Sequence, residues 1–88
     1  MLFMVSYSFA PGVRNSAQDR FRKTGGLPGD GVKMVGRWHG VGGNRGFVLA
    51  DSNDSVAIGK WLQDWTDLLD FEVTPVNDDE QIMKVIGD

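Results

Sequence analysis

Cysteine is absent from this sequence, and histidine occurs once, at His39. The first absence removes disulfides, thiolate metal sites and thiol nucleophiles together. The second leaves no multi-histidine cage within one chain, so neither a metal site nor a cofactor is expected. An excess of positive charge is also missing. Nine Lys and Arg stand against twelve Asp and Glu, whereas a nucleic-acid binder draws most of its affinity from cationic contacts to phosphate. No apolar run approaches the ~20 residues that cross a bilayer. The apolar start MLFMVSYSF lacks a basic flank and does not read as a signal peptide. The expected setting is therefore cytoplasmic, with neither nucleic acid nor membrane as partner.

What remains is one domain spanning residues 1–88. A chain of this length buries only roughly 60–65% of its unfolded surface and is marginal alone. With disulfides and metals excluded, pairing with a second copy is the remaining route to stability.

The hydrophobic periodicity sets out an ordered series of elements. Leu2–Phe9 alternates, with Phe3, Val5, Tyr7 and Phe9 opposite Leu2, Met4, Ser6 and Ser8, which is a strand. Ala10-Pro11-Gly12 ends it. Val13, Ala17 and Phe21 recur every four residues and predict an amphipathic helix stopped by Gly25-Gly26. Val32–His39 and Arg45–Ala50 read as two strands of a hairpin joined by a glycine-rich connection. Asp51-Ser52-Asn53-Asp54 offers helix caps, and Ala57, Ile58, Trp61, Leu62, Trp65, Leu68 and Leu69 continue as one helical stripe. Phe71–Val76 is a fourth strand, placed at an edge because Pro75 cannot donate to a ladder. Asp78-Asp79-Glu80 starts a short terminal helix with Ile82, Met83 and Ile86 as its stripe.

This order predicts an α+β fold: a ferredoxin-like β-α-β-β-α-β sandwich with an antiparallel sheet and a short C-terminal helix. Both long helices then cover one face of the sheet. The other face stays bare, and a twofold homodimer stacking two such faces is the simplest closure.

Several spaced anchors carry a resemblance. MLFMVSYSF with Pro11 and Arg14, Arg20-Phe21, Gly25-Gly26, Gly31-Val32-Lys33, Gly36-Arg37-Trp38-His39, Gly46-Phe47, Trp61, Trp65 and Glu72-Val73-Thr74-Pro75-Val76 resemble a small bacterial domain-of-unknown-function family, DUF3303. The resemblance implies a fold similar to the dimeric α/β-barrel proteins, which are built from ferredoxin-like protomers. That group holds cofactor-free monooxygenases, haem-handling enzymes, isomerase-like members and proteins without known activity. The family itself carries no assigned reaction.

Candidate site residues are few. Arg37 and His39, two apart in a strand, project from one face together with Lys33 and Val35. They could orient an anionic ligand and move a proton. The plainer reading is a charged, solvated edge strand. Trp38 faces the other way and is expected in the core, as are Trp61 and Trp65. The loop Gly40–Arg45 joins two strands, so it is no phosphate loop of the strand-to-helix kind. A lid, or a backbone nest beside Arg45, remains open, as does an ordinary hairpin turn. Tyr7 is a pocket candidate, as are Ser6 and Ser8 if their side faces the cavity. Asp78, Asp79 and Glu80 are explained by a helix start without any cation. Haem ligation by His39 has no supporting residue.

Three readings follow. The first is a homodimer binding a small anionic or amphipathic metabolite at the sheet/dimer interface, through Tyr7, Arg37, His39 and Arg45. In the second, a cofactor-free monooxygenase or isomerase uses His39 as general base and Arg37 to hold an enolate or carboxylate. The third is a structural or regulatory interaction domain without a ligand.

Overall fold

The computed structural model describes residues 1–87. It is an α+β fold of seven elements: β1 (Leu2–Phe9), α1 (Arg14–Thr24), β2 (Lys33–His39), β3 (Arg45–Asp51), α2 (Ser55–Gln63), β4 (Leu69–Val76) and α3 (Asp79–Ile86). The four strands form one antiparallel sheet in the order β2-β3-β1-β4. Each long helix thus bridges two strands that have another strand between them, which is the interlocked split β-α-β arrangement. β4 lies at an edge, the place in a sheet where a proline such as Pro75 is tolerated.

The register decides which residues can meet. Phe3, Val5 and Tyr7 pair across to Ala50, Val48 and Gly46 of β3 and to Pro75, Val73 and Phe71 of β4. This is the helix-covered face. Val5, only 1% exposed, packs there with Val48, Ala50 and Trp61. A second cluster joins Ala17 of α1 to Trp65, Leu68 and Leu69, with Tyr7 and Phe9 against it. Leu2, Met4, Ser6 and Ser8 project to the opposite face, where they stay half-buried.

Local chemistry sets the helix ends. Gly25, at φ 71°, takes the left-handed conformation that closes α1, its N–H reaching the Phe21 carbonyl at 2.8 Å. The Asp54 carboxylate accepts from the Val56 and Ala57 N–H groups to start α2. A capping box between Asp78 and Gln81 starts α3.

The structure corrects the sequence reading at three places. The stripe from Ala57 to Leu69 is not one helix, since α2 ends at Gln63. Successive tight turns follow, with Asp64, Trp65 and Leu68 N–H groups each bonding the carbonyl three residues back. Leu69 already belongs to β4. Trp65, Leu68 and Leu69 are buried as expected, so the apolar pattern persists while the backbone changes.

In β2, Met34 pairs with Ala50 but Gly36 pairs with Leu49, making Val35 the extra residue of a bulge. The bulge breaks the strict alternation, so Lys33 lies on the open face while Arg37 and His39 lie on the helix face. Trp38 is not core. It is 58% exposed on the open face, its ring lying over Gly36, where any Cβ would collide with it. The terminal helix forms where the sequence placed it; α3 buries none of its residues, and its stripe of Ile82, Met83 and Ile86 stays exposed.

An ion pair ties α1 to the turns after α2. Arg20 donates from both Nη atoms to the two Asp67 oxygens at 2.7 Å and also to the Asp64 carbonyl. This fork holds the Asp67 carboxyl below the usual carboxylate range. A depressed folded-state pKa stabilises at pH values above the unfolded one, and that contribution disappears as pH falls through the folded value. Urea titrations of wild type and Asp67→Asn are expected to differ at neutral pH and to converge below about pH 4. A gap that persisted undiminished in acid would mean that the fork contributes nothing through its charge.

Candidate functional site

Three adjacent strands place Tyr7, Gly46 and His39 side by side in one row, β1 to β3 to β2, on the helix face. Gly46 is the member without a side chain, and a Cβ there would collide with the Tyr7 ring. The phenol therefore crosses over β3 and meets His39, with Tyr7 Oη 2.6 Å from His39 Nδ1. A glycine inside a strand costs stability, and here it gives the close approach that such glycines mark. Burial pushes the Tyr7 phenol above its ordinary pKa, and the nearby Arg37 charge opposes that rise.

The row forms the floor of a cavity of about 390 Å³ between the sheet and the α1 and α2 layer. Phe9, Phe21, Trp61, Trp65 and Phe71 supply most of its wall. Aromatic rings meet edge to face around it: Phe21 with His39 at 5.5 Å and Tyr7 with Phe9 at 5.8 Å. The volume falls within the range of pockets for small molecules. Exposed Arg22, His39, Gly43 and Arg45 stand at its rim.

Arg37 reaches the same cavity but is already engaged. Its Nη1 donates to the Gly26 carbonyl at 2.9 Å and its Nη2 to the Gly25 carbonyl at 2.8 Å. The guanidinium also lies over the Phe21 ring at 4.7 Å. Those carbonyls end α1, where a cation is favoured by the helix dipole. Trp61 Nε1 donates to the same Gly26 carbonyl at 3.2 Å. Partial burial holds Arg37 below its ordinary basicity. Arg37 is thus a clip that fixes the wall formed by the α1 C-terminus.

The residues singled out from the sequence divide accordingly. Tyr7, Arg37, His39 and Arg45 all line the cavity, and the structure brings them together. Ser6 and Ser8 do not, because they share rows with Phe47 and Glu72 and with Arg45 and Asp70 on the open face. The cavity also lies on the helix side of the sheet, whereas the sequence reading put the pocket at the sheet/dimer interface. Trp61 and Trp65 are both core and cavity wall. The connection Gly40–Asn44 is an ordinary hairpin loop, closed by the Gly40 N–H to the Arg45 carbonyl at 2.7 Å and turned at Gly43, φ 84°. Gly46 and the Phe9, Phe21 and Phe71 wall were not singled out. The signal for Gly46 was available, as a glycine interrupting an otherwise regular strand.

Among the described residues, no group of three or more His, Asp or Glu side chains could hold a metal, and no helix is long and apolar enough to cross a membrane.

Comparison with known proteins adds family and fold. The crystal structure of PA3566 from Pseudomonas aeruginosa matches with a TM-score of 0.55 at 11% identity, covering 88% of this chain and 92% of that one. At that identity the likeness shows a shared fold alone. No curated protein matches the chain. The model of the domain of unknown function DUF3303 matches residues 1–88. The anchors met in the sequence thus fall inside a match over the whole length, and the chain belongs to the DUF3303 family.

Proposed function

We propose that this protein binds a small amphipathic anion with a planar apolar body in the cavity between its sheet and its two long helices. One observation carries the reading. The chain has a net charge of −3, yet the cavity is lined by Arg37, Arg45 and His39, and by Arg22 in its pair with Asp19 at 2.6 Å, with no Asp or Glu in the lining itself. Charge of one sign in a low-dielectric cleft raises the local concentration of the opposite sign. The aromatic wall suits a flat ring, and the rim cations suit a carboxylate or enolate at its edge.

The same reading includes a homodimer formed through the open sheet face. That face presents Trp38, Phe47, Leu49, Met4 and Leu2, and the buried core behind it is small. One end of it carries a cation beside a carboxylate, Lys33 with Asp51. A twofold partner can answer such a pattern with itself.

Phenylpyruvate, phenylacetamide and phenethylamine separate the ligand reading from its rivals when titrated against the fluorescence of Trp61 and Trp65. The anion is expected to bind in the high-micromolar to millimolar range, consistent with roughly 0.3–0.4 kcal/mol per heavy atom. The neutral amide is expected to bind at least ~10-fold more weakly, and the amine not at all. Arg45→Glu should weaken the anion by about 10-fold without altering far-ultraviolet dichroism. Equal affinity for all three probes, or none for any, overturns the reading.

A further inference from the structure

α3 is a well-formed helix that buries none of its residues. Its stripe of Ile82, Met83 and Ile86 is 41–65% exposed, and neither buried cluster reaches it. Helices shorter than ~12 residues are marginal in water, and most owe their stability to a packed apolar face. α3 has eight residues and no such packing within its own chain. It is nevertheless built to hold its shape and direction. Asp78 N–H donates to Gln81 Oε1 at 2.9 Å, and Gln81 N–H donates to Asp78 Oδ1 at 2.8 Å. Gly87 closes the last turn at φ 67°, and only two residues separate the helix from β4.

The shape of the molecule shows where the helix goes. The chain measures 49 × 29 × 17 Å, with a radius of gyration of 14.4 Å. A compact domain of this length has about 12 Å. An eight-residue strand is only ~27 Å long. So long an axis requires an element standing off the sheet, and α3 leaves the end of β4 without packing on either core cluster.

The accessible surface measures what is left uncovered. This 9.7 kDa chain exposes 6086 Å², whereas a compact monomer of that mass exposes about 5100 Å². The excess of roughly 1000 Å² is close to the ~800 Å² that each partner buries in a standard protein interface.

Charge selects the occupant. Away from the stripe, Asp78, Asp79 and Glu80 crowd the start of α3, and Lys84 is the one cation in its last turn. Anionic lipid and nucleic acid both repel such a surface. A second copy answers it, because Lys33 beside Asp51 supplies a counter-charge for each end of the helix. The same copy also presents apolar Trp38 and Phe47.

We infer that α3 is a reciprocal arm, its Ile82, Met83 and Ile86 stripe buried against a second copy of this chain whose own α3 is buried in return. The inference rests on the dimer reading above and adds to it an element outside the sheet. Twofold symmetry makes every contact of the arm occur twice.

The test uses the full chain, in which the absence of cysteine makes any introduced thiol unique. Val85→Cys, at the flank of the stripe, is labelled with benzophenone maleimide and irradiated, while sedimentation velocity reports the oligomeric state. A covalent dimer on a denaturing gel is expected, and it should vanish on dilution below the dissociation constant. Ile82→Glu combined with Ile86→Glu removes four stripe side chains from the dimer, so the dissociation constant should rise at least ~100-fold. Far-ultraviolet dichroism should keep the signal of the sheet and the two long helices, since these side chains touch neither core cluster. Lys84→Ala, on the opposite side of the helix, should stay within a few-fold of wild type. A wild-type dimer that gives no covalent dimer, or a double variant that dimerises as tightly as wild type, overturns the arm and leaves dimerisation through the sheet standing. A wild type that stays monomeric overturns both. A monomer that co-sediments with phosphatidylcholine–phosphatidylglycerol vesicles, and loses this in the double variant, assigns the stripe to lipid instead.

Discussion

Replacing Trp38 by aspartate is expected to turn the protein into a monomer at all accessible concentrations. The indole is 58% exposed and lies over Gly36, in one row with Phe47 and Ser6. Buried tryptophans are among the strongest contributors to protein interfaces, with truncation costing ~2 kcal/mol or more. Twofold symmetry counts the change twice, so the dissociation constant should rise by about 1000-fold or more. The substitution also sets one carboxylate against another when two faces stack. Because the side chain contributes little to the protomer's own core, far-ultraviolet dichroism should be unchanged. Sedimentation velocity at graded concentrations checks this, with wild type running as a dimer. A wild-type chain that stays monomeric at high concentration would defeat the dimer outright, and the cavity reading would survive it.

Trp61→Ala is expected to have the largest effect on the fold itself. Trp61 is 6% exposed and packs on Val5, Val48 and Ala50 at the centre of the sheet. Removing a buried aromatic side chain costs about 3–5 kcal/mol. The hydrogen bond from Nε1 to the Gly26 carbonyl adds about 1 kcal/mol. Against a domain stability of ~5–15 kcal/mol, and nearer the low end for a chain this short, most of the margin disappears. The cavity loses a wall in the same step. Trp61→Phe keeps the ring and should cost only about 1–2 kcal/mol. Urea unfolding followed by far-ultraviolet dichroism distinguishes these. A loss below about 1 kcal/mol for Trp61→Ala would show that the core does not centre on this residue.

The two predictions rest on residues whose roles were unequally visible in the sequence. Trp61 declared itself, because it sits in an unbroken run of apolar residues at helical spacing. The strands were legible for a similar reason: alternation in Leu2–Phe9 names the core face directly. Trp38 was misread because large aromatics are usually buried, and nothing in its neighbours says that its face of the sheet lacks a covering helix. The bulge at Val35 was invisible too. It inserts one residue into β2 and so detaches Lys33 from the face that holds Arg37 and His39. The end of α2 at Gln63 escaped notice because Trp65, Leu68 and Leu69 are buried whether they sit in a helix, a turn or a strand.

The candidate site shows the same division. Tyr7, Arg37, His39 and Arg45 were recognisable as residue types capable of binding or proton transfer. Arg37 looked like a ligand holder, and only its bonds to Gly25 and Gly26 reveal a clip. Gly46 could be read as a strand irregularity, but its purpose depends on which residues lie on either side of it across two neighbouring strands.

By itself the sequence determined the element order, the absence of thiol chemistry and of a histidine cage, and which stripes of each element are apolar. Those properties are local, since they depend on residue type and on periods of two and 3.6. The tertiary structure alone decided that Tyr7, Gly46 and His39 share a row, that the cavity opens on the helix side, and that Trp38 lies outside. Such facts depend on strand register, between distant segments for β1 against β3 and across a bulged hairpin for β2 against β3. One shifted residue, as at the β2 bulge, exchanges the two faces of a sheet.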